Sequence, residues 1–420
     1  MKRRFLSTAI AAAALLAAGC VTEHVRPRRG TPVRAAAPGA SPSRVGAPPI
    51  ALPSGPIASP ASSVSSSSRV QVAVVPLGTL PYDGQALPLL SPDGRFLAVQ
   101  SGEPPTWAAI LAEPGAEPSL RTTLSAWSIG PRALERVEWP QPLPRGLVLG
   151  RGADDRGFLV EWPRDDGTRQ IGRVSWATGG VDWLTEAPAV NAHAVLAGDD
   201  LVFTRRAVSG ESTELVIRAP EGRESTRRAE AGEYAFPIVA GADALYCVVV
   251  TSAGLDLEAL RIERRDGRVA LGAPLARARL GPRPDLVDAY QAVASVQPTP
   301  ATSTPAIFVP RLGRMAILDI DRGGFIPLAP RSVAAIPSDQ ASRSGWFCAT
   351  PEGLVFTPAD PARSASLAGS PVRILASPYV PRAVRRAPDE PESMILLGPV
   401  RGRSDHLEVL RLVFAESGTP

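Results

Sequence analysis

One short unit recurs along this chain and limits what it can fold into. It is an apolar run of strand length, a tight turn built on Asp or Gly, and a second apolar run. The clearest copy is Leu89–Gln100, LLSPDGRFLAVQ. Pro92 fixes φ, Asp93 can bond its own backbone, and Gly94 accepts positive φ. Phe96, Ala98 and Gln100 then alternate with Leu97 and Val99, the two-residue period of a strand. Weaker copies follow at Leu147–Trp162, Ala194–Arg205, Ile238–Thr251, Ala306–Ile320, Trp346–Thr357 and Val384–Val400. Their turns centre near residues 93, 155, 199, 243, 313, 352 and 390, so successive turns lie 38 to 70 residues apart.

These spacings centre on the roughly 40–50 residues of a four-stranded propeller blade. Such a sheet cannot bury both faces alone, so copies must stack and close into a ring. The sequence therefore predicts an all-β chain: a seven-bladed β-propeller over residues 70–420, with six and eight blades as the alternatives. Val70–Pro76, VQVAVVP, precedes the first unit. It is expected to close the ring as the outer strand of the last sheet, beside His406–Phe414, which protects two edges at once. Further strand-like pieces lie at Trp107–Leu111, Gln170–Trp176, Glu214–Ile217 and Glu258–Ile262. The 45 Pro and 37 Gly among 420 residues fit many turns, and no stretch reads as a long amphipathic helix.

In the first unit Ser91, Asp93, Gly94, Leu97 and Ala98 follow the pattern S-x-D-G-x-x-[IL]-[AV]. This resembles the WD40-like repeats of the TolB family of propellers, clearly in one copy and diffusely elsewhere. The resemblance implies a propeller. It does not carry over the partners of that family, whose members have a separate N-terminal domain that the Pro/Ser-rich segment here cannot be.

Residues 1–20 read MKRRFLSTAIAAAALLAAGC. A basic start leads into an apolar run from about Ala9 to Ala18, too short to span a bilayer, as in a signal peptide. Leu16-Ala17-Ala18-Gly19-Cys20 resembles the lipobox of bacterial lipoproteins. That resemblance implies a leader over residues 1–19, cleavage before Cys20 and lipidation of the Cys20 thiol. Val21, not Asp, follows the cysteine, which by analogy implies the periplasmic face of the outer membrane. Residues 20–69 are Pro, Ala, Gly and Ser with few large apolar side chains, and are expected to form a disordered tether.

Charge excludes one partner class. The net charge of +4 comes from the leader and tether, and the remainder carries four more acids than bases. A mildly acidic domain has no reason to seek nucleic acid. Of the three histidines, His24 is in the tether, and His193 and His406 read as solvated loop or strand-edge residues. No HExxH, metal-ligand spacing, nucleophile elbow or phosphate loop appears, so no cofactor or metal is implied. The paired acids Asp154-Asp155 and Asp199-Asp200 read as turn formers. Cys247 and Cys348 lie in apolar strands and read as small buried hydrophobes.

Tryptophan is the remaining lead. Trp107, Trp127, Trp139, Trp162, Trp176 and Trp183 fall in the first two units, as core or as an aromatic face for a protein or envelope polymer. Together these features predict a non-catalytic, membrane-anchored binding scaffold. The alternative is a carbohydrate-active or other hydrolytic propeller using Asp and Glu residues.

Overall fold

A computed structural model describes residues 70–416 apart from 84–85, 103–121, 187, 211, 241–242, 266–267, 283–288, 290–291, 294–304, 339–344, 359–371, 377–381, 388–392 and 401–402. The leader, Cys20, the tether, and Trp107 with the strand expected around it lie outside the described residues.

The described residues begin with β1 (Val70–Pro81) and then run as antiparallel meanders. The first is β2 (Leu89–Leu90), β3 (Phe96–Gly102), β4 (Thr122–Ile129) and β5 (Leu134–Arg136). Next come β6 (Val148–Ala153), β7 (Gly157–Pro163), β8 (Arg169–Ser175) and β9 (Val181–Trp183). They are followed by β10 (Ala189–Ala197), β11 (Asp200–Ala207), β12 (Glu214–Arg218) and β13 (Glu224–Arg227). The following sheet is β14 (Glu233–Ala240), β15 (Ala244–Thr251), β16 (Gly254–Arg265) and β17 (Arg268–Gly281). A three-stranded sheet holds β18 (Ala306–Val309), β19 (Arg314–Asp319) and β20 (Gly324–Pro327). Then come β21 (Ala334–Pro337), β22 (Gly345–Thr350), β23 (Gly353–Pro358) and β24 (Val372–Leu375). The last sheet is β25 (Ala383–Arg386), β26 (Ser393–Val400) and β27 (Arg403–Glu416), with β1 as its outer strand.

That outer position closes the ring as the apolar run Val70–Pro76 suggests. The register with β27 runs from Val70↔Glu416 to Pro81↔His406, with one irregularity between Pro76 and Gly78. The apolar seams between sheets follow one another around the ring. Leu90 and Leu97 meet Ile395 and Leu407 of the closing sheet. Ala98 and Leu124 meet Phe158 and Val174, and Leu159 and Ile171 meet Phe203 and Val216. Val202 and Leu215 meet Leu245 and Val249, and Leu257 and Leu280 meet Ile307 and Leu318. Met315 and Ile317 meet Ala335 and Trp346, and Phe347 and Leu354 meet Leu396 and Leu412. Each buried Leu, Ile, Val, Phe or Met among them contributes about 1.5–3 kcal/mol by leaving water, so stability is spread around the ring.

The expected blade count is corrected. In place of seven equivalent four-stranded blades, the ladders among the described residues give five separate blade-sized sheets of three or four strands and one continuous eight-stranded sheet. The eight-stranded sheet arises because β8 and β10 bridge in parallel at Arg169↔Val190, which fuses the meanders on either side. The repeated units are also out of phase. The turn at Glu352-Gly353 joins β22 to β23, whereas the corresponding turns elsewhere join the first two strands of a meander. It matches the β15–β16 turn instead. Thr350 Oγ1 donates to Gly353 O at 2.9 Å, and Thr251 Oγ1 to Gly254 O at 3.0 Å.

The Ser-Pro-Asp-Gly turn between β2 and β3 forms as its sequence dictates. Ser91 Oγ donates to Asp93 Oδ1 at 2.6 Å, Asp93 Oδ1 also accepts the Arg95 N–H at 3.0 Å, and Gly94 has φ 71°. Asp93 is thus a turn former.

Candidate functional site

The strands that open successive meanders, β2, β6, β10 and β14, lie against one another in order. Three of them break register. The breaks fall between Leu149 and Ala153 in β6, Ala192 and Val195 in β10, and Ala235 and Ile238 in β14. A bulge re-aims a side chain out of the regular alternation. Here the residues at the breaks include Arg151, His193 and Phe236.

His193 and Phe236 are left-handed non-glycine residues, with φ 59° and 50°. Such a conformation costs of order 1–3 kcal/mol each and persists only where the surroundings enforce it. The surroundings do so. The two rings meet at a centroid distance of 4.2 Å, tilted by 45°. The Arg151 guanidinium lies 6.0 Å from the Phe236 ring centroid and donates to Val293 O at 3.3 Å. Val293, with Ala289 and Ala292, is helical and buried in the same seam as Phe236.

Glu161 of β7 holds the His193 bulge from the neighbouring meander. Its Oε1 accepts the His193 main-chain N–H at 2.7 Å, and its Oε2 accepts Arg169 Nη1 at 2.8 Å. Both side chains of this ion pair are almost fully buried. On the other flank, Thr204 Oγ1 lies 3.1 Å from His193 Nδ1 and 3.0 Å from Ala192 O. A polar belt extends outward. Asn191 Nδ2 donates to Arg169 O, Thr185 Oγ1 to Gln170 Oε1, and Arg205 Nε to Asn191 Oδ1. Arg205 then grips Glu224 through two 2.8 Å bonds, which hold the Glu224 carboxyl below the usual range.

The sequence-based placement of His193 at a solvated edge is therefore corrected: it is 8% exposed and lies inside β10. Arg151, Glu161, Thr204 and Phe236 were not singled out by sequence. Two local signals bear on them. Gly150 and Gly152 bracket Arg151 within a strand, and Pro237 follows Phe236 within another; both patterns mark bulges. Gly150 is required for close approach, since a Cβ there would meet Leu159 O at 2.8 Å.

The acids expected at turns are turn residues. Asp154 Oδ1 accepts the N–H groups of Arg156 and Gly157, and Asp319 Oδ1 those of Asp321 and Arg322. Asp256 and Glu258 share one face of β16, the arrangement two catalytic carboxylates would need. Their oxygens are engaged instead. Arg277 and Arg279 bind Asp256 at 2.8 and 2.9 Å, and Tyr234 Oη donates to Glu258 at 2.6 Å. Burial, with that bond to Glu258, pushes the Tyr234 hydroxyl well above its usual pKa. Among the described residues no group of three His, Cys, Asp or Glu side chains is placed to hold a metal ion.

The described tryptophans of the first two units divide between two seams. Trp176 is buried, stacked on Phe96 at 5.6 Å, and donates Nε1–H to Asp154 O at 2.8 Å. Trp139, Trp162 and Trp183 are half-buried against the same cluster, and Trp127 packs on the seam beside the closing sheet. Trp162 and Trp183 stack at 5.1 Å, with Arg164 4.8 Å over Trp162. Cys247 and Cys348 are buried free thiols.

The expectation of a non-catalytic scaffold, more a binding protein than an enzyme, is corrected on this geometry. It rested on the absence of catalytic groups, and the bulges bring a histidine, an arginine and a supporting carboxylate together from three strands. No protein-family model matches the chain, and no curated protein matches it. Among solved structures, TolB from Acinetobacter baumannii is similar with 17% identity and a TM-score of 0.31, over 45% of this chain and 43% of that one. The PQQ-bound aldose sugar dehydrogenase from Streptomyces coelicolor is similar with 13% identity and a TM-score of 0.33, over 82% of this chain and 100% of that one. A protein assigned as a gluconolactonase is similar with 9% identity and a TM-score of 0.36, over 82% and 92%. Two of these three bear enzyme names, but at such identities and TM-scores they carry no argument about the activity of this chain. The chain is an all-β propeller that distantly resembles TolB-like propellers.

Proposed function

We propose that this chain is a propeller enzyme of the hydrolytic class, with its chemistry centred on His193. The observation that carries this reading is the pair of adjacent strands that both adopt left-handed non-glycine backbone, at His193 and Phe236, and bring their rings to 4.2 Å. Strain of this kind clusters where function requires a fixed side chain. In this reading His193 moves a proton to or from the attacking water. Arg151 stabilises negative charge that develops on the substrate oxygen. Glu161 fixes the main chain that carries the imidazole, and Phe236 supplies an apolar wall. The acid of the hydrolytic alternative thus supports the histidine and does not attack.

The rest of the proposal concerns place and partner. The lipobox-like run supports lipidation at Cys20 and attachment to the periplasmic face of the outer membrane, where the substrate would be an envelope component. The stacked, half-buried Trp162 and Trp183 offer a platform for a sugar or other flat group.

The test is turnover of a panel of chromogenic esters, lactones, glycosides and phosphoesters by the purified chain and by His193→Gln. Wild-type turnover of one class, reduced about 10²–10⁴-fold in the variant, supports the reading. Unchanged turnover in His193→Gln, or none across the panel in the wild type, overturns it. Membrane retention lost in Cys20→Ala supports the anchor, and retention unchanged refutes it.

A further inference from the structure

Thr204 lies 3.1 Å from His193 Nδ1 and 3.0 Å from Ala192 O through one and the same hydroxyl oxygen. A hydroxyl has a single proton to give. The carbonyl can only accept, whereas an imidazole nitrogen can either donate or accept. All three groups are satisfied in one arrangement: Nδ1–H donates to Oγ1, and Oγ1–H donates to Ala192 O. In the reverse arrangement the hydroxyl proton goes to Nδ1 and the carbonyl loses its bond to Thr204. Thr204 is 3% exposed and His193 8%, so water is a poor substitute there. A forfeited bond at a buried group is costly, and a chain of donors running one way strengthens each member.

We infer that Thr204 is a positioning residue that fixes neutral His193 as its Nδ1–H tautomer, so that Nε2 is the basic nitrogen. The two flanks of the residue then have separate tasks. Glu161 accepts from its main-chain N–H at 2.7 Å and fixes where the residue sits. Thr204 fixes which ring nitrogen holds the proton. Neither role is visible in sequence, because Thr204 and Glu161 lie 11 and 32 residues away on different strands. For catalysis this matters in the way it does for any histidine base: the nitrogen that takes a proton is chosen by the bond the other nitrogen makes.

The catalytic meaning rests on the proposed hydrolytic reading; the tautomer itself does not, and it can be measured without substrate. The chain has three histidines, so selective ¹⁵N-histidine labelling of the full protein gives few signals, and His193→Gln assigns the one required. Two-bond and three-bond ¹⁵N–¹H correlations then distinguish the tautomers. At a pH where the ring is neutral, the wild type is expected to show the Nδ1–H pattern. Thr204→Ser keeps the hydroxyl and should keep the pattern. Thr204→Val keeps the shape and removes the hydroxyl, and should raise the Nε2–H form several-fold. An Nε2–H pattern in the wild type, or a Thr204→Val spectrum like the wild type, overturns the inference. If the tautomer is as stated but no panel substrate is turned over, the hydrolytic reading fails and the role of Thr204 stands.

Discussion

The main-chain N–H of His193 donates to Glu161 Oε1 over 2.7 Å, while the other oxygen of that carboxylate accepts Arg169 at 2.8 Å. One buried acid thus joins a left-handed residue in β10 to a cation in β8, close to the parallel bridge that fuses two meanders.

Removing that acid should expose the arrangement. Glu161→Ala removes the carboxylate that Arg169 binds in the interior, and breaking a buried ion pair typically costs about 3–5 kcal/mol. Glu161→Gln keeps an acceptor for the His193 N–H and should cost less. Denaturant unfolding checks the order. Equal stabilities for the two variants would show that the acceptor kept for the His193 N–H does not help to hold this junction.

The turn glycines separate two kinds of strain. Gly353 has φ 141°, and a Cβ there would meet Leu375 O at 2.1 Å. Gly198 has φ 68° with nothing within 4 Å of a Cβ. Gly198→Ala should therefore cost only the left-handed penalty of about 1–2 kcal/mol. Gly353→Ala must also move backbone, so its melting temperature should fall further. The comparison of the two melting curves is the measurement.

Particular residues show what was legible in the sequence. The Ser91–Gly94 turn and the closing strand β1 were legible because each is written locally, in turn chemistry and in an unpartnered apolar run. The burial of Cys247 and Cys348 was legible from the apolar strands around them. The fused eight-stranded sheet was not, because it depends on one bridge between Arg169 and Val190. His193 was misread for a related reason. Its neighbours in sequence are small and apolar, and the groups that bury and bind it, Glu161, Thr204 and Phe236, come from three other strands. The phase of the unit at Trp346–Thr357 was not legible, because a Glu-Gly turn looks the same wherever it sits in a meander.

Acid should loosen the belt beside the site. Glu224 is held below its usual pKa first by the hydrogen bond from Arg205. A carboxylate with a lowered folded-state pKa adds stability above its unfolded value, ~4.3 for glutamate, and that stability is lost as pH falls through the folded value. The stability difference between wild type and Glu224→Gln should be widest near neutral pH and close as pH is lowered through the acid range. A difference that does not change with pH would refute the coupling. Melting curves at several pH values give the answer.

Both thiols should be inert in the folded protein. Burial pushes Cys348 up to about 11 and Cys247 well above the usual range. The thiolate is the reactive form, so labelling near pH 8 should be slow natively and rapid once the chain is unfolded. Fast native labelling at either position would contradict the burial of these strands.

The pairing of Val70 with Glu416 also has a temporal meaning. During synthesis β1 is made before the other described strands, and its ladder partner among them, β27, is made after the rest. The strand that completes the ring must wait, with an open edge, while every sheet between is produced. Contacts so distant in sequence form slowly, and an open strand edge is where chains pair wrongly. The interval before closure is therefore this molecule's window of vulnerability to misassembly.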